Sequence, residues 1–375
     1  MKIMKKLLAL GLCVSMMTAM VACGGSDSAS TESTSAAGEK TTIGFIYVGA
    51  SDDYGYNQAA YKGMEAVKAH FGDKVEILNQ EKVPETSEAS DVLEQMIQSG
   101  ATILFPTSFG HLTPAEDVAK NYPNVIFEHQ GGMETMPNLG TYFGTIWDPY
   151  YLAGIAAGHA TKSNKLGFVA AFPISQSLAN VNAYTLGAQS VNPDITTTVI
   201  FTGDWSDPAK QTEAANTLIA DGCDVLAQHQ DATKTIVELC EANNVYTVGY
   251  HADASELAPN MWLTAAVWDW SGLFVDICQA IMDGKWQGSQ YDAIYRGGMA
   301  EGIVDLAPFG KAVPQEVQDE ILALKAEMIA GTRHTFENEI KDQNGNVVCE
   351  NGSFLSEEQV ESMNYFVEGV IGTIE

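Results

Sequence analysis

The stretch Ile43-Gly-Phe-Ile-Tyr-Val48 indicates the fold class. It is apolar on both faces, and a polar loop at residues 49–57 and a helical pattern follow it. The same unit recurs along the chain, with further apolar runs at 75–78, 103–105, 125–127, 166–171, 197–201, 225–227, 245–248 and 262–267. Runs that are apolar on both faces and separated by helices are typical of a parallel sheet covered on both sides. The sequence therefore predicts an α/β protein with parallel sheets.

The number of strands predicts two lobes. Nine strands are more than one doubly wound lobe comfortably holds, and the segment near 140–147 offers a crossing to a second lobe. We assign residues 41–144 and 268–290 to the first lobe, and residues 145–267 and 291–375 to the second.

The N-terminal residues predict export and a membrane anchor. Residues 1–22 carry three lysines and then an apolar run, which is the layout of a secretory signal. Val21-Ala22-Cys23 resembles the lipobox of bacterial lipoproteins, with Met20 where leucine is usual. Residues 23–40 are rich in Gly, Ser and Thr and predict a flexible tether. We expect a lipid on Cys23 at the outer face of the cell membrane; an ordinary signal peptide with an incidental cysteine is the alternative.

The charge of the chain argues against two kinds of partner. Loss of the three lysines in residues 1–22 changes the net charge from −29 to −32. Such a field repels phosphate backbones and anionic lipid headgroups. Nucleic acid is therefore not an expected partner, and contact with the membrane is expected only through the lipid.

The sequence gives no sign of a cofactor, a metal site or an enzyme. The GxSxG, GxxxxGK, GxGxxG, HExxH and EF-hand patterns are all missing. His229 and His251 end neighbouring strands, but no further metal ligand accompanies them. The cysteines after Cys23 lack metal-ligand spacing and are expected to be buried free thiols: Cys223, Cys240, Cys278 and Cys349. A disulfide between Cys223 and Cys240 stays open as an alternative.

The loops that follow the strands predict the kind of ligand. Open parallel sheets bind ligands beyond the carboxyl ends of their strands. The loops at those ends are rich in aromatic and uncharged polar residues: Tyr54, Tyr56, Asn57, Ser108, Phe109, Trp147, Phe172, Trp205, Trp268 and Trp270. Such side chains suit a flat, neutral ligand with heteroatoms. For each aromatic residue taken singly, packing of a strand end against a helix is the alternative.

Three aspartates in these loops are candidates for a polar contact with the ligand. Asp53, Asp231 and Asp253 each fall after a predicted strand. Each could instead cap the helix that follows, and for Asp52 and Asp207 we favour that interpretation.

Six segments occur in an order and spacing that are specific when taken together. They are Asp53-Tyr-Gly-Tyr56-Asn57, Pro106-Thr-Ser-Phe109-Gly110, Trp147-Asp-Pro-Tyr-Tyr-Leu-Ala-Gly154, Val191-Asn-Pro193, Trp205-Ser-Asp-Pro-Ala-Lys210 and Met363-Asn-Tyr-Phe-Val-Glu-Gly369. In these segments the chain resembles the basic membrane protein (Bmp) family, lipoprotein substrate-binding proteins of ABC importers. The resemblance implies a periplasmic-binding-protein type I fold, with two Rossmann-like lobes joined by a three-crossing hinge. It also implies a purine nucleoside, or a purine base such as adenine, as the ligand.

The resemblance also suggests site residues and partners. It implies that Tyr56 is a stacking aromatic, although Phe or Trp is commoner there, that Asn57 is its polar neighbour, and that Asp253 reads the base edge. With the loop positions added, the expected ligand-binding set is Asp53, Tyr56, Asn57, Ser108, Phe109, Trp147, Phe172, Trp205, Asp231, Asp253 and Trp268. The implied protein partners are the membrane subunits of an ABC permease, with the chain itself a monomer.

Three other functions share some of these features. The ligand could be a sugar or another small polar molecule, because fold does not fix ligand. The protein could be a secreted nucleosidase-like hydrolase, which would need clustered aspartates that this sequence spreads apart. It could also be a ligand sensor that presents its surface to a receptor.

Overall fold

The computed structural model describes residues 40–374. The expected signal peptide, the Cys23 anchor and the expected tether up to residue 39 lie outside the described residues. Within residues 40–374, no helix is both long enough and apolar enough to cross a bilayer.

Strands and helices alternate through most of the chain. The strands are β1 (Thr41–Ile46), β2 (Val75–Gln80), β3 (Ala101–Pro106), β4 (Ile126–Gln130), β5 (Leu139–Gly144), β6 (Lys165–Ala170), β7 (Thr196–Phe201), β8 (Val225–His229), β9 (Tyr246–His251), β10 (Trp262–Trp268), β11 (Ile294–Gly297), β12 (Val304–Leu306), β13 (Ile340–Lys341), β14 (Val347–Cys349) and β15 (Val370–Ile371). The helices are α1 (Tyr56–Phe71), α2 (Ser87–Gln98), α3 (Leu112–Ala119), α4 (Trp147–Ala160), α5 (Ser175–Val191), α6 (Pro208–Ala220), α7 (Lys234–Asn243), α8 (Ser271–Met282), α9 (Gln315–Ile329) and α10 (Glu357–Glu361).

The first lobe is built on a sheet of six parallel strands. Their order is β11-β5-β4-β3-β1-β2. Helix α1 packs against α8, and α2 packs against α3. The inner strands bury their apolar side chains on both faces, as Phe45 and Phe105 show on one face and Ile46 and Leu104 on the other, all with no exposed surface. This is the covered parallel sheet that the apolar runs predict.

The second lobe has a seven-stranded sheet in the order β12-β10-β9-β8-β6-β7-β15. All neighbours are parallel except β10 and β12, which pair antiparallel. A small hairpin of β13 and β14 follows α9. The α/β class and the mostly parallel sheets are thus confirmed.

Helices α4 and α5 form the central layer of the second lobe. Both are buried on nearly every face, so neither shows the one-sided apolar pattern of a surface helix. Their backbones touch at two glycines: a Cβ on Gly154 would lie 2.1 Å from the carbonyl oxygen of Tyr184, and one on Gly187 would lie 1.9 Å from that of Tyr151. This close packing fixes the first residues of both helices, Trp147 and Ser175, beside the cleft.

The chain crosses between the sheets three times, after β5, β10 and β11. The expected boundary at residue 290 is wrong, because residues 294–297 pair in parallel with β5 and so belong to the first sheet. The last crossing therefore follows Gly297. Strands β5 and β11 were not among the apolar runs, since β5 carries two glycines and β11 has only four residues.

Helix ends and cysteines follow local chemistry. The Asp207 side chain accepts from the backbone N–H groups of Ala209 and Lys210 and caps α6, as expected. The four cysteines within residues 40–374 are buried free thiols, so Cys223 and Cys240 are not joined. Burial raises the pKa of Cys240 to about 12.

Candidate functional site

A cavity of about 260 Å³ lies between the lobes, beside the carboxyl ends of β3, β4, β8 and β9. This is where open parallel sheets bind ligands. Six aromatic side chains line it, three from each lobe. The first lobe contributes Tyr56, Phe109 and Phe143, and the second contributes Trp147, Trp205 and Tyr250. The cavity therefore offers aromatic surface from both lobes to one ligand.

Two acidic side chains of the second lobe line this cavity, Asp231 and Glu361, and of these Glu361 is paired with Arg296. Asp231 follows β8, is half-buried, and forms no side-chain hydrogen bond or ion pair within residues 40–374. Burial raises its pKa well above the usual carboxyl value, and the negative charges of Asp53, Glu85 and Asp204 add to the effect. An unpaired carboxyl in a closed cleft is costly unless a ligand donates to it. Asp231 can therefore accept a hydrogen bond from a ligand N–H or O–H.

Two neutral imidazoles lie next to Asp231 at the ends of β8 and β9. Burial lowers the pKa of His229 to about 3. Burial also lowers the pKa of His251 well below its usual value, with the nearby His229 as a second cause and the carbonyl of Gln230 opposing. Both rings are therefore uncharged at neutral pH, and their ring centroids are 6.3 Å apart.

Each imidazole has one nitrogen held by a neighbour. The Trp268 indole N–H donates to Nδ1 of His251 at 2.9 Å, and the Asn180 amide lies 3.2 Å from Nδ1 of His229. His251 also has φ of 68°, in the left-handed region that residues other than glycine rarely occupy. Such a conformation costs about 1 to 3 kcal/mol and is typical of functional sites.

Hydrogen bonds behind the cavity lining hold the first-lobe loop that carries Phe109. Glu85 accepts hydrogen bonds from the Ser108 hydroxyl at 2.6 Å and from the backbone N–H of Gly110 at 2.8 Å. Nε2 of the buried His129 lies 2.7 Å from the carbonyl oxygen of Ser108. These contacts hold the loop that carries Phe109, whose side chain is 62% exposed at the cavity mouth.

The lobes touch directly at one side of the cavity. The backbone N–H of Tyr56 donates to the carbonyl oxygen of Asp231 at 3.0 Å, and the Thr233 hydroxyl donates to the carbonyl oxygen of Tyr54 at 2.6 Å. A Cβ on Gly55 would lie 1.7 Å from the same Asp231 oxygen, so only glycine permits this approach. The structure therefore has the two lobes in contact around the cavity.

An ion pair spans the other side. Arg296 of β11 contacts Glu361 of α10 with 2.6 Å between Nε and Oε1, and both side chains are largely buried. Arg296 also donates to the carbonyl oxygen of Gly132 at 3.2 Å. Helix α10 packs against α5 of the second lobe, so this pair joins the two lobes.

Of the eleven residues expected to bind the ligand, six line the cavity: Tyr56, Ser108, Phe109, Trp147, Trp205 and Asp231. Their contact with a ligand stays a prediction. Asp53 lies behind the lining and instead caps α1, since its carboxyl accepts from the N–H groups of Gly55, Asn57 and Gln58. Asn57 is buried and its amide donates to Asp53, so it stabilises the loop before α1 and does not line the cavity. We expected Asp52 to cap this helix, but Asp53 is the residue that does so.

Phe172, Trp268 and Asp253 also lie outside the lining. Phe172 backs Trp205, with 5.3 Å between ring centroids, and Trp268 lies 4.7 Å from Phe143 in the same way. Asp253 is exposed and accepts from the backbone N–H of Ser255 in a local turn. In this structure Asp253 lies outside the cavity lining, whereas Asp231, at the matching position after the neighbouring strand, lines it. That Asp253 reads the base edge stays a prediction, which this geometry does not favour.

Several lining residues were not expected from the sequence. They are Glu85, Phe143, Gln176, His229, Tyr250, His251, Arg296 and Glu361. A signal existed for the histidines, because both end predicted strands at the ligand-binding edge. They were weighed only as metal ligands, and within the described part of the chain no cluster of metal-ligating side chains occurs.

The fold and the cleft define a two-lobed solute-binding protein. Residues 40–356 match the family described as ABC transporter substrate-binding protein PnrA-like, and the chain belongs to this Bmp family. Substrate-binding proteins of ABC importers are extracytoplasmic and deliver a small molecule to a permease, which confirms the general class that the six segments indicated.

Two relatives and one solved structure illustrate the similarity. The chain is 32% identical to a purine-binding protein of Brucella abortus, over 88% of this chain and 93% of that one. It is 35% identical to a Haloferax volcanii protein provisionally named as the glucose-binding protein of an ABC transporter, over 90% of this chain and 82% of that one. A solute-binding protein structure from Aeropyrum pernix shares the fold with a TM-score of 0.67 at 17% identity, over 86% of this chain and 96% of that one.

Proposed function

We propose that this protein captures a purine base or nucleoside in the cavity between its lobes and delivers it to an ABC permease. The observation that carries the proposal is the lining of three aromatic side chains from each lobe. A planar ring can contact aromatic faces on both of its sides, and each stacked base face contributes about 1 to 3 kcal/mol. The lobes then close around a ligand that both of them touch.

The polar groups of the cavity suit a heterocycle better than a polyol. Among the lining side chains, Asp231 has no partner, and Nε2 of His251 and Nε2 of Gln176 are buried without a hydrogen bond in residues 40–374. A purine presents a few nitrogens at the edge of an apolar ring. A sugar presents hydroxyls all round and would leave several of them unpaired here, at a cost for each.

Glucose is the second candidate because of the name given to the Haloferax volcanii relative. Sugars also stack on aromatic side chains, so the aromatic lining alone does not separate the two ligands. Both hydrogen bonds to the Glu85 carboxyl, from Ser108 and Gly110, end on Oε1, so Oε2 could still bind a ligand hydroxyl. The preference for the purine rests instead on the few lining groups that lack a protein partner.

The ligand that remains bound during purification tests the proposal. Purified protein is denatured, and the released small molecules are identified by mass spectrometry. We expect a purine base or nucleoside in amounts close to one per chain. A hexose in its place would support the glucose alternative and contradict the proposal.

Closure around the ligand can be measured separately. A ligand that contacts both lobes favours the closed state by its differential affinity for that state. Small-angle scattering of ligand-free protein should show a larger radius of gyration, which decreases when adenine is added. Tight binding without compaction would argue against capture by closure.

The proposal includes a lipid anchor at Cys23, outside the described residues. Replacing Cys23 by Ala should move the protein from the membrane fraction to the soluble extracytoplasmic fraction without changing ligand affinity. A wild-type protein that is already soluble and carries no lipid would contradict the anchor.

A further inference from the structure

We propose that His251 is the hydrogen-bond donor that reads an unprotonated ring nitrogen of the ligand, and that Trp268 gives His251 this role by fixing its tautomer. The inference rests on the proposed function, since it assumes a nitrogen heterocycle in the cavity. The chemical feature that the site selects is then the lone pair of an unprotonated nitrogen in an aromatic ring.

The tautomer follows from the contact between the two side chains. The Nε1–H of Trp268 donates to Nδ1 of His251 at 2.9 Å. An indole nitrogen can only donate, so Nδ1 must be the unprotonated acceptor. A neutral imidazole with a bare Nδ1 carries its proton on Nε2. His251 therefore presents an Nε2–H donor.

This donor lies at the cavity and lacks a partner. His251 lines the cavity and is only 2% exposed. Among the residues that the structure describes, no acceptor meets hydrogen-bond distance and angle with its Nε2, although the Gln230 carbonyl lies close enough to oppose the lowering of the His251 pKa. A buried donor without an acceptor is destabilising, and a ligand atom that accepts from it removes that cost.

The backbone holds the ring in this place at some cost. His251 adopts a left-handed φ of 68° at the end of β9, a conformation that is uncommon for any residue other than glycine, though less so for histidine than for most. Its ring packs face to face with Tyr250 and edge to face with Tyr56, with centroid distances of 3.5 and 5.1 Å. Both contacts are with residues that also line the cavity. The His251 ring is therefore held in position by other side chains of the cavity lining.

The donor is available at any ordinary pH. Burial lowers the pKa of His251 well below its usual value, so the ring stays neutral. A neutral donor suits a ring nitrogen that has a lone pair and does not require a charged ligand. With Asp231 as the acceptor nearby, the site suits a ring that has one N–H group and one bare nitrogen.

Adenine and its deaza analogues test this assignment. In each analogue one ring nitrogen is replaced by C–H, which removes one lone pair and keeps the shape. Titration calorimetry on refolded, ligand-free wild-type protein should show one analogue, the one lacking the nitrogen that His251 reads, binding roughly 10- to 100-fold more weakly than adenine.

Variants then assign that loss to His251. In His251→Met the discrimination between adenine and that analogue should disappear, while His251→Gln, which keeps an amide N–H, should retain part of it. Trp268→Phe should reduce the discrimination because it frees the tautomer. Trp270→Phe is the matched control: it removes an indole N–H that has no partner among residues 40–374, from a ring that stacks 4.7 Å from Trp268.

Nitrogen NMR of ligand-free wild-type protein reports the tautomer of His251 directly. It should show a bare Nδ1 and a protonated Nε2 for His251, with the other tautomer appearing in Trp268→Phe. A protonated Nδ1, an Nε2–H already engaged by the Gln230 carbonyl, or discrimination that survives His251→Met overturns the inference. If adenine binds and all analogues bind equally, only this inference fails. If adenine, guanosine and inosine all fail to bind, the proposed function fails with it.

Discussion

The two walls of the cavity differ in what they offer a ligand. Each lobe brings three aromatic side chains, but the second lobe also brings polar groups that are held in place: His251 by Trp268, His229 by Asn180, and Asp231 by backbone contacts to both lobes. The polar lining residues of the first lobe, Glu85, Ser108 and Arg296, already bond to protein groups. The rest of that wall is apolar and partly exposed at the mouth, as in Phe109 at 62% and Met133 at 52%.

This difference separates recognition from closure. Changes in the second-lobe wall should alter the choice among related ligands, because the groups that read hydrogen bonds lie there. Changes in the first-lobe wall, or in the contacts between lobes, should weaken all ligands alike. The predictions below test that division.

The largest effect is expected at Asp231. Asp231→Asn replaces an acceptor by a group that can also donate, so purines that present an N–H to it should bind about 100-fold more weakly. Purines that differ at this edge should be affected unequally. Titration calorimetry with adenine, guanosine and inosine measures both effects.

Asp253→Asn is the matched control. Asp253 lies two residues after β9, as Asp231 lies two residues after β8, but it is exposed in a local turn. Its replacement should leave every purine affinity unchanged. Equal losses in the two variants would contradict the assignment of Asp231 as the reading carboxyl.

The pair of Arg296 and Glu361 should affect affinity but not selectivity. Glu361→Gln leaves a largely buried guanidinium without its partner and destabilises the closed lobes, so all purines should dissociate faster and bind about 10-fold more weakly. Stopped-flow dissociation rates measure this. Asp283→Asn, which breaks an exposed pair with Lys285, is the control and should have no effect. A change in selectivity in Glu361→Gln would place this pair in recognition.

Phe109→Ala should have a smaller, uniform effect. The ring is more than half exposed at the mouth, so only part of it can stack on a ligand. We expect every purine to bind about 3-fold more weakly, below the effect of a fully stacked base. Trp205→Ala, on the opposite lobe, should cost more in the same titration. An unequal loss across purines in Phe109→Ala would contradict the claim that the first-lobe wall does not contribute to selectivity.

Asp231→Asn should lower the affinity for purines but raise the stability of the ligand-free protein at neutral pH. Because the pKa of Asp231 is raised in the folded state, the folded protein binds an extra proton between the unfolded and folded pKa values. Stability from this group therefore falls as pH rises through that window and stays reduced above it. Asp231→Asn should raise the unfolding temperature at neutral pH and lose that advantage in acid, where the carboxyl is protonated. A variant whose advantage in unfolding temperature is the same in acid as at neutral pH would contradict the raised pKa of Asp231.

Much of the fold could be predicted from side-chain patterning. Long apolar runs such as those at 43–48 and 166–171 identify buried parallel strands whatever their neighbours. Strand β11 could not be found this way, because its four residues are only partly apolar and become a strand by pairing with β5. The boundary of the first lobe was misplaced for the same reason.

The position of the site could be predicted from the sequence, but the side chains that face the cavity could not. Asp231 and Asp253 stand at equal distances from the ends of adjacent strands, so position alone does not choose between them. The choice depends on the backbone: His251 has a positive φ, and the chain after it turns outward to an exposed Asp253. The role of Trp268 likewise depends on a contact with a histidine on the neighbouring strand.

The most direct test of the account compares adenine with glucose. Protein is unfolded to remove any bound ligand, refolded, and titrated with each compound by calorimetry. We expect adenine to bind tightly, with a heat that is lost in Asp231→Asn, and glucose to give no measurable binding. Binding of glucose without binding of adenine, guanosine or inosine would contradict the purine assignment and return the aromatic lining to a sugar site.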